Sequence, residues 1–238
     1  MRLRRLIRDA ISPHPRLFFP VFRMLASRQT NQMLVTDDTE IVIEGFPRSA
    51  NTYLVTAFEA AQRVPRSVAH HTHAAAQVLE AVRRNIPCIV VVRKPEDAIR
   101  SLKYVFPDQS EKLALIRWIS FYRAVERVRY GVVVADFDVV TRDVGSVIAA
   151  VNEKFCTSFD AFRPEDEERG TKYVLQRISE FDREFGGAVG AAGATPSQEK
   201  LKRLNETALS FEEKHLASAI TLYRALVGGP AERELLAK

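Results

Sequence analysis

One stretch constrains this chain's fold more than any other: Ile41-Val42-Ile43-Glu44-Gly45-Phe46-Pro47-Arg48-Ser49-Ala50-Asn51-Thr52-Tyr53. A β-branched run from Glu40 to Glu44 predicts a strand, and a helical pattern opens near Thr52 and continues to about residue 63. The loop between them has the length that wraps a phosphate. Backbone N–H groups at such a helix start have no intrahelical partners, and the helix dipole favours an anion there.

Nucleotide triphosphatases carry the pattern G-x-x-x-x-G-K-[ST] at such a turn. The frame here is Gly45, four residues, Ala50, Asn51, Thr52. Glycine and hydroxyl are in register. Asn51 replaces the lysine that reaches the β- and γ-phosphates, and a cation stands inside the loop instead, at Arg48. Asp136 is the best candidate for a magnesium-binding acid. The loop therefore suits an anion bound without the usual Mg2+ triphosphate; the other reading of a strand–turn–helix with Pro and Ser is plain structure.

From residue 40 onward, short β-branched runs alternate with helical patterns. This predicts an α/β fold of three layers, a mostly parallel sheet flanked by helices. Strands are expected at 40–44, weakly at 67–70, and at 88–92 and 131–135. Helices are expected at 52–63, 74–84, from Pro95, along Leu115, Trp118, Ile119, Tyr122 and Val125, and at 144–155, 197–208 and 212–227. Pro95 with Glu96 and Asp97 is good helix-start chemistry. Trp118 and Tyr122 read as core, and Leu216, Ile220, Tyr223 and Leu226 share one face of the last helix. Residues 186–194, rich in Gly and Ala, read as a loop. The 238 residues, 46% hydrophobic and 27% charged, suit one globular domain over 31–238 behind an arm over 1–30. No apolar run is long enough to cross a bilayer.

A second anion grip follows. Val90-Val91-Val92-Arg93-Lys94-Pro95-Glu96-Asp97 puts Arg93 at the C-terminal end of a strand, where open α/β sheets bind ligands. Ser101 comes eight residues later, on the next helix. Arginine grips phosphate through two parallel hydrogen bonds, and a serine hydroxyl adds a third.

Together the two segments resemble the sulfotransferases that use 3′-phosphoadenosine 5′-phosphosulfate (PAPS). Phe46-Pro47-Arg48-Ser49-Ala50-Asn51-Thr52-Tyr53 is similar to the family's Tyr-Pro-Lys-Ser-Gly-Thr-Thr-Trp, and Arg93-Lys94-Pro95-Glu96-Asp97 with Ser101 is similar to its Arg-Asn-Pro-Lys-Asp and following serine. Val133-Val134-Ala135-Asp136-Phe137-Asp138 is similar to the strand and acidic turn that come next. The resemblance spans about residues 40 to 155. It implies a P-loop sulfotransferase-like fold. It also implies that Arg48 contacts the sulfuryl group and bridging oxygen, that Ser49, Ala50, Asn51 and Thr52 hold the 5′-phosphate, and that Pro47 is part of the same cofactor-binding loop. Tyr53 would lie against the adenine, and Arg93 and Ser101 would bind the 3′-phosphate. The family's cytosolic branch adds a late Arg-Lys-Gly segment, of which Arg169-Gly170 is a faint echo.

His70-His71-Thr72-His73 holds three of the five histidines. His73 lies twenty residues before Arg93, and His71-Thr72-His73 is similar to the family's Lys-Thr-His. The resemblance implies that His73 is the general base, with His71 in the lysine's place. Histidine titrates near neutral pH, which suits that work. A structural role and a metal site are the competing readings, although adjacent strand residues point to opposite faces and no partner cluster accompanies them. His14 and His215 have no comparable context.

The net charge of +5 is uneven: residues 1–28 carry seven arginines and one acid, a net of +6, and the remainder is at −1. Such a basic amphipathic segment either docks on the domain by its apolar side or lies on an anionic membrane surface. Nucleic acid is disfavoured, because no basic and aromatic interleaving continues past the arm. Two cysteines, Cys88 and Cys156, make no disulfide framework and point to a reducing compartment, the cytoplasm, with peripheral contact at the inner membrane surface as an option.

The implied activity is in-line transfer of the sulfuryl group from PAPS to an acceptor hydroxyl on a carbohydrate, lipid or small molecule. It releases 3′-phosphoadenosine 5′-phosphate (PAP) and requires no metal. The alternatives are a small-molecule kinase with an altered loop and a non-catalytic nucleotide-binding interaction protein.

Overall fold

The computed structural model describes residues 10–161, 172, 173, 175, 176, 204 and 207–228. Four strands form one sheet: β1 (Ile41–Gly45), β2 (Val68–His70), β3 (Cys88–Val92) and β4 (Val133–Asp136). Their order is β2-β1-β3-β4 and every pairing is parallel. β1 and β3 lie at the centre and are buried on both faces, which is why their sequences, Glu44 in β1 apart, are apolar runs without alternation.

Helices cover both faces. α1 (Pro15–Leu25) and the single turn α2 (Arg28–Asn31) precede the sheet. α3 (Asn51–Ala61) follows β1, α4 (Ala75–Arg83) follows β2, and α5 (Pro95–Val105) and α6 (Glu111–Glu126) follow β3. The turn α7 (Phe137–Val140) and α8 (Val144–Phe155) follow β4, and α9 (Glu213–Val227) closes the described chain. One core layer joins Val42, Val90 and Val92 to α4, α5, α6 and α9, through residues such as Val78, Leu102, Trp118, Tyr122 and Leu222. The other joins Ile41, Ile43, Ile89 and Val91 to α3 and α8, through Leu54, Phe58, Val147 and Ile148. The expected three-layer α/β architecture is the observed one.

Two expectations shift. The fourth strand begins at Val133 rather than at residue 131, because Arg129–Gly131 form a 3-10 turn. Gly131 sits tight against α4: a Cβ there would stand 2.7 Å from the Val82 Cγ1. The buried face of α9 centres on Ala219, Leu222 and Leu226, while Leu216, Ile220 and Tyr223 are only partly covered. α1 docks on the domain by its apolar side, one of the two placements open to the N-terminal segment: Phe18 is fully buried with Leu34, Ala74 and Ala76, and its ring stacks on Phe22 at 4.9 Å. Ser12, just before α1, caps α4: its Oγ accepts from the Ala75 N–H at 3.0 Å and its carbonyl from the Ala76 N–H at 2.7 Å. Residues 186–194, most of 197–208 and Arg169-Gly170 lie outside the described residues. Among the described residues, no helix is long and apolar enough to cross a membrane.

Candidate functional site

The C-terminal ends of the four strands lie along one edge of the sheet. Gly45 pairs with Val91 and Val92 with Asp136, so the loop after β1, Arg93 and Asp136 end level with one another. β2 runs parallel on the other side of β1 and delivers His71-Thr72-His73 to the same edge. The chain runs from β1 to its neighbour β2 and then crosses back past β1 to β3 on its other side, so the strand order reverses at β1, the switch point at which open α/β sheets hold ligands.

The loop after β1 is held from within. Asn51, in the register of the phosphate-reaching lysine, does not reach outward. Its buried amide turns back and donates to the carbonyls of Gly45 at 3.3 Å and Phe46 at 3.1 Å. Arg48 and Ala50 take left-handed backbone conformations, with φ of 71° and 69°, which few non-glycine residues adopt without a compensating arrangement. Ala50 at the N-cap of α3 offers no side-chain acceptor to the opening N–H groups, so an external anion suits that position. Ser49 is fully buried, Pro47 is half-buried, and Tyr53 packs against the α3–α8 core layer.

The two expected anion grips meet. The Arg48 Nε donates to the Ser101 Oγ on α5 at 3.2 Å, and the Arg93 Nη1 donates to the Arg48 carbonyl at 3.0 Å. The Arg93 guanidinium stacks on the Phe137 ring at 4.0 Å from its centroid. Burial draws its pKa down, against the pull of Asp97 and Asp138. Its buried Nε has no hydrogen-bond partner among the described residues, and an unpaired buried donor on a cation fits an incoming anionic oxygen.

One helix ties both grips to the core. On α6 the buried Tyr122 hydroxyl donates to the Val91 carbonyl at 2.7 Å and accepts from the Phe46 N–H at 3.2 Å. One turn earlier, the Trp118 indole N–H donates to the Arg93 carbonyl at 3.3 Å. These residues read as core in the sequence. They are core, and their polar atoms also fix the starts of both loops.

The histidine segment rests on an acid that sequence reasoning passed over. Glu44, in the middle of the sheet, is fully buried. Its Oε1 accepts from the Thr72 N–H at 2.8 Å and the Thr72 hydroxyl at 2.7 Å, and its Oε2 accepts from the His73 N–H at 3.0 Å. Burial pushes the Glu44 carboxyl up to about 7, against the pull of those donors. A charged residue inside an apolar strand was the available signal, since a buried acid requires partners. His71 and His73 both have left-handed backbones, with φ of 57° and 51°.

His73 Nδ1 lies 2.8 Å from the Gly45 carbonyl oxygen. A carbonyl only accepts, so Nδ1 carries the proton, and in the neutral ring Nε2 keeps the lone pair that a base needs. His71 points elsewhere: its Nε2 is 2.9 Å from the Thr52 Oγ1, and its Nδ1 is 2.6 Å from the His70 Nδ1. Among the described residues no group of three His, Cys, Asp or Glu side chains is arranged to hold a metal. Asp136, the expected magnesium candidate, caps α7 through the Asp138 N–H at 2.9 Å and accepts from the Tyr223 hydroxyl at 2.5 Å.

Comparison with known proteins gives a fold and no closer kinship. No family model matches the chain, and no curated protein sequence matches it. Among solved structures, mouse sulfotransferase SULT7A1, determined in complex with PAP, matches over 90% of this chain and 95% of its own, with a TM-score of 0.52 at 12% identity. The chain therefore has a sulfotransferase-like fold.

Proposed function

We propose that the chain transfers a sulfuryl group from PAPS to an acceptor hydroxyl. One observation carries this reading: Arg48 and Arg93, on two separate loops, and Ser101, on the helix after the second, are hydrogen-bonded into a single cationic cluster at the binding edge of the sheet. That the similar mouse protein was solved with PAP supports the same donor.

In this reading the loop amides and the start of α3 hold the 5′-phosphate. The Arg93 guanidinium, with its unpaired Nε, and Ser101 hold the 3′-phosphate. PAPS supplies the sulfuryl group and a leaving phosphate. His73 Nε2 takes the proton from the acceptor hydroxyl as that oxygen attacks sulfur. Arg48 stabilises the charge that grows on the bridging oxygen. A preorganised donor of this kind typically contributes about 10² to 10³ in rate. A kinase is disfavoured because Asn51 is committed to the Gly45 and Phe46 carbonyls and nothing stands in the lysine's place.

The test is calorimetric titration of the full chain with PAP, with ADP and ATP·Mg2+ as controls, for wild type and Arg93→Ala. The reading expects PAP binding that depends on the 3′-phosphate and fails in the variant. Preference for ATP·Mg2+ moves the reading to a kinase, and absence of nucleotide binding removes it. With an acceptor in hand, His73→Ala and Arg48→Ala are each expected to abolish transfer.

A further inference from the structure

The His70–His71 pair has no role in the chemistry above, yet it sits against the phosphate loop. His71 Nε2 contacts the Thr52 hydroxyl at 2.9 Å, and the two histidines face each other Nδ1 to Nδ1 at 2.6 Å. Burial holds the His70 pKa down to about 4, and that of His71 well below its ordinary value. Both rings are therefore neutral near pH 7, and each carries one N–H.

That leaves two proton arrangements. A contact between two Nδ1 atoms needs one hydrogen, supplied by one ring or the other. If His71 supplies it, the His71 Nε2 is bare and the Thr52 hydroxyl spends its hydrogen there. Thr52 then offers only lone pairs to the loop, which repel an anion. If His70 supplies it, the His71 hydrogen sits on Nε2 and points at the Thr52 Oγ1. The Thr52 hydroxyl then accepts from the ring, and its own hydrogen is released to donate to a phosphate oxygen. Only the second arrangement suits an anion at the start of α3.

We propose that His71 is a positioning residue for the phosphate loop: its Nε2–H donates to the Thr52 Oγ1, His70 Nδ1–H fixes that tautomer, and the Thr52 hydroxyl is thereby turned into a donor to the bound 5′-phosphate. The inference rests on the nucleotide reading above. It gives His71 a different task from a cation in the same place. The ring brings no charge to the anion; it sets the polarity of a hydroxyl that touches it. The positive charge comes from Arg48 and Arg93.

The experiment is calorimetric titration of the full chain with PAP for wild type, His71→Leu, His71→Gln, Thr52→Val and the double variant His71→Leu/Thr52→Val. His71→Leu is expected to weaken PAP by about tenfold, the scale of one hydrogen bond to a charged group. Glutamine can present an N–H where Nε2 stood, so His71→Gln is expected to recover most of that loss. The double variant is expected to bind no worse than the weaker single variant, since both changes remove one coupled unit. Imidazole nitrogen NMR on isotope-labelled wild type reports the tautomer without any substitution, and the PAP complex is expected to show His71 protonated on Nε2 and His70 on Nδ1. Unchanged affinity in His71→Leu, additive losses in the double variant, or a His71 proton on Nδ1 in the complex each overturn the inference while wild-type PAP binding still stands. Failure of wild type to bind PAP overturns the nucleotide reading and this inference with it.

Discussion

The Asn51 amide donates to the Gly45 carbonyl at 3.3 Å, and its Oδ1 lies where a side chain on Gly45 would have to stand. A Cβ on Gly45 would come within 2.7 Å of that Oδ1 and 2.5 Å of the Val91 carbonyl oxygen. The second neighbour is backbone of a central strand and has no room to retreat. Gly45→Ala is therefore expected to lower stability by about 1–3 kcal/mol, as overpacking does, and to displace the loop it opens. At about 2–4 °C per kcal/mol for a chain of this size, thermal unfolding reads the loss. Asn51→Ala removes the donor to two buried carbonyls without adding bulk, and is expected to cost about 1–3 kcal/mol. A melting temperature unchanged in both variants would mean that the loop is held by something else.

Tyr122 makes a second testable tie. Its hydroxyl satisfies the Val91 carbonyl and the Phe46 N–H from the far side of the core. Tyr122→Phe keeps the ring packing against Trp118 and Phe121 and deletes only the oxygen. Two buried backbone groups lose a partner, at about 1–3 kcal/mol each by the cost of an unsatisfied polar atom. Urea unfolding is expected to show that loss, and PAP affinity is expected to fall with it because Phe46 opens the phosphate loop. Stability loss with unaltered PAP affinity would separate Tyr122 from the site.

Much of this was legible in the sequence, for reasons that name its limits. β1 and β3 announce themselves because central parallel strands are runs of apolar residues, broken in β1 only by Glu44, and the glycine at the end of β1 and proline at the start of α5 mark where each stops. Arg48 and Arg93 stood out because each follows a strand end, and Ser101 by its spacing from Arg93; the structure brings the three together. What escaped was set by contacts distant in sequence. Glu44 meets Thr72 and His73 from 28 and 29 residues away, and Tyr122 meets Phe46 from 76 away. Asn51 is different: its register places it in the loop, and nothing local reveals that its side chain turns inward to the Gly45 and Phe46 carbonyls. The start of β4 was misplaced because Gly131 is fixed by the close approach of Val82, which no pattern within residues 129–136 records.

The N-terminal segment combines what the sequence left as alternatives. α1 buries Phe18 against the domain, yet its outer side exposes Leu17, Met24 and Leu25, with Arg16 and Arg23 also exposed. Residues 1–28 carry a net charge of +6. We propose that this outer side meets an anionic lipid surface, where each nearby arginine contributes about 1 kcal/mol. Co-sedimentation is expected with vesicles rich in phosphatidylserine and not with phosphatidylcholine alone, and to weaken as salt screens the charge. Met24→Glu is expected to reduce it without changing the melting temperature, since Met24 is 76% exposed. Equal binding to both vesicle types, or to neither, would remove the lipid assignment.

Glu44 and its neighbouring histidines titrate in opposite senses, and the sign is testable. The Glu44 carboxyl stands at about 7 in the fold against an ordinary 4.5. Between those values the folded chain holds a proton that the unfolded chain has lost, so stability falls as pH rises and levels off above about 7. His70 stands at about 4 against an ordinary 6.5, so between these values the unfolded chain holds the extra proton and stability rises with pH. His71, held lower still, acts in the same direction. Two rising contributions face one falling contribution below 6.5, and Glu44 acts alone from there to about 7. Glu44→Gln removes the falling contribution. It is expected to lower stability at every pH, because an amide has one accepting oxygen and cannot take both the Thr72 donors and the His73 N–H as the two carboxylate oxygens do. It is also expected to steepen the rise below 6.5 by up to one proton's worth, about 1.4 kcal/mol per pH unit. Urea unfolding across pH 4.5 to 7.5 measures both effects. Parallel profiles for wild type and variant would mean that Glu44 keeps its ordinary titration in the fold, and that the histidine segment is held by an ionised carboxylate throughout.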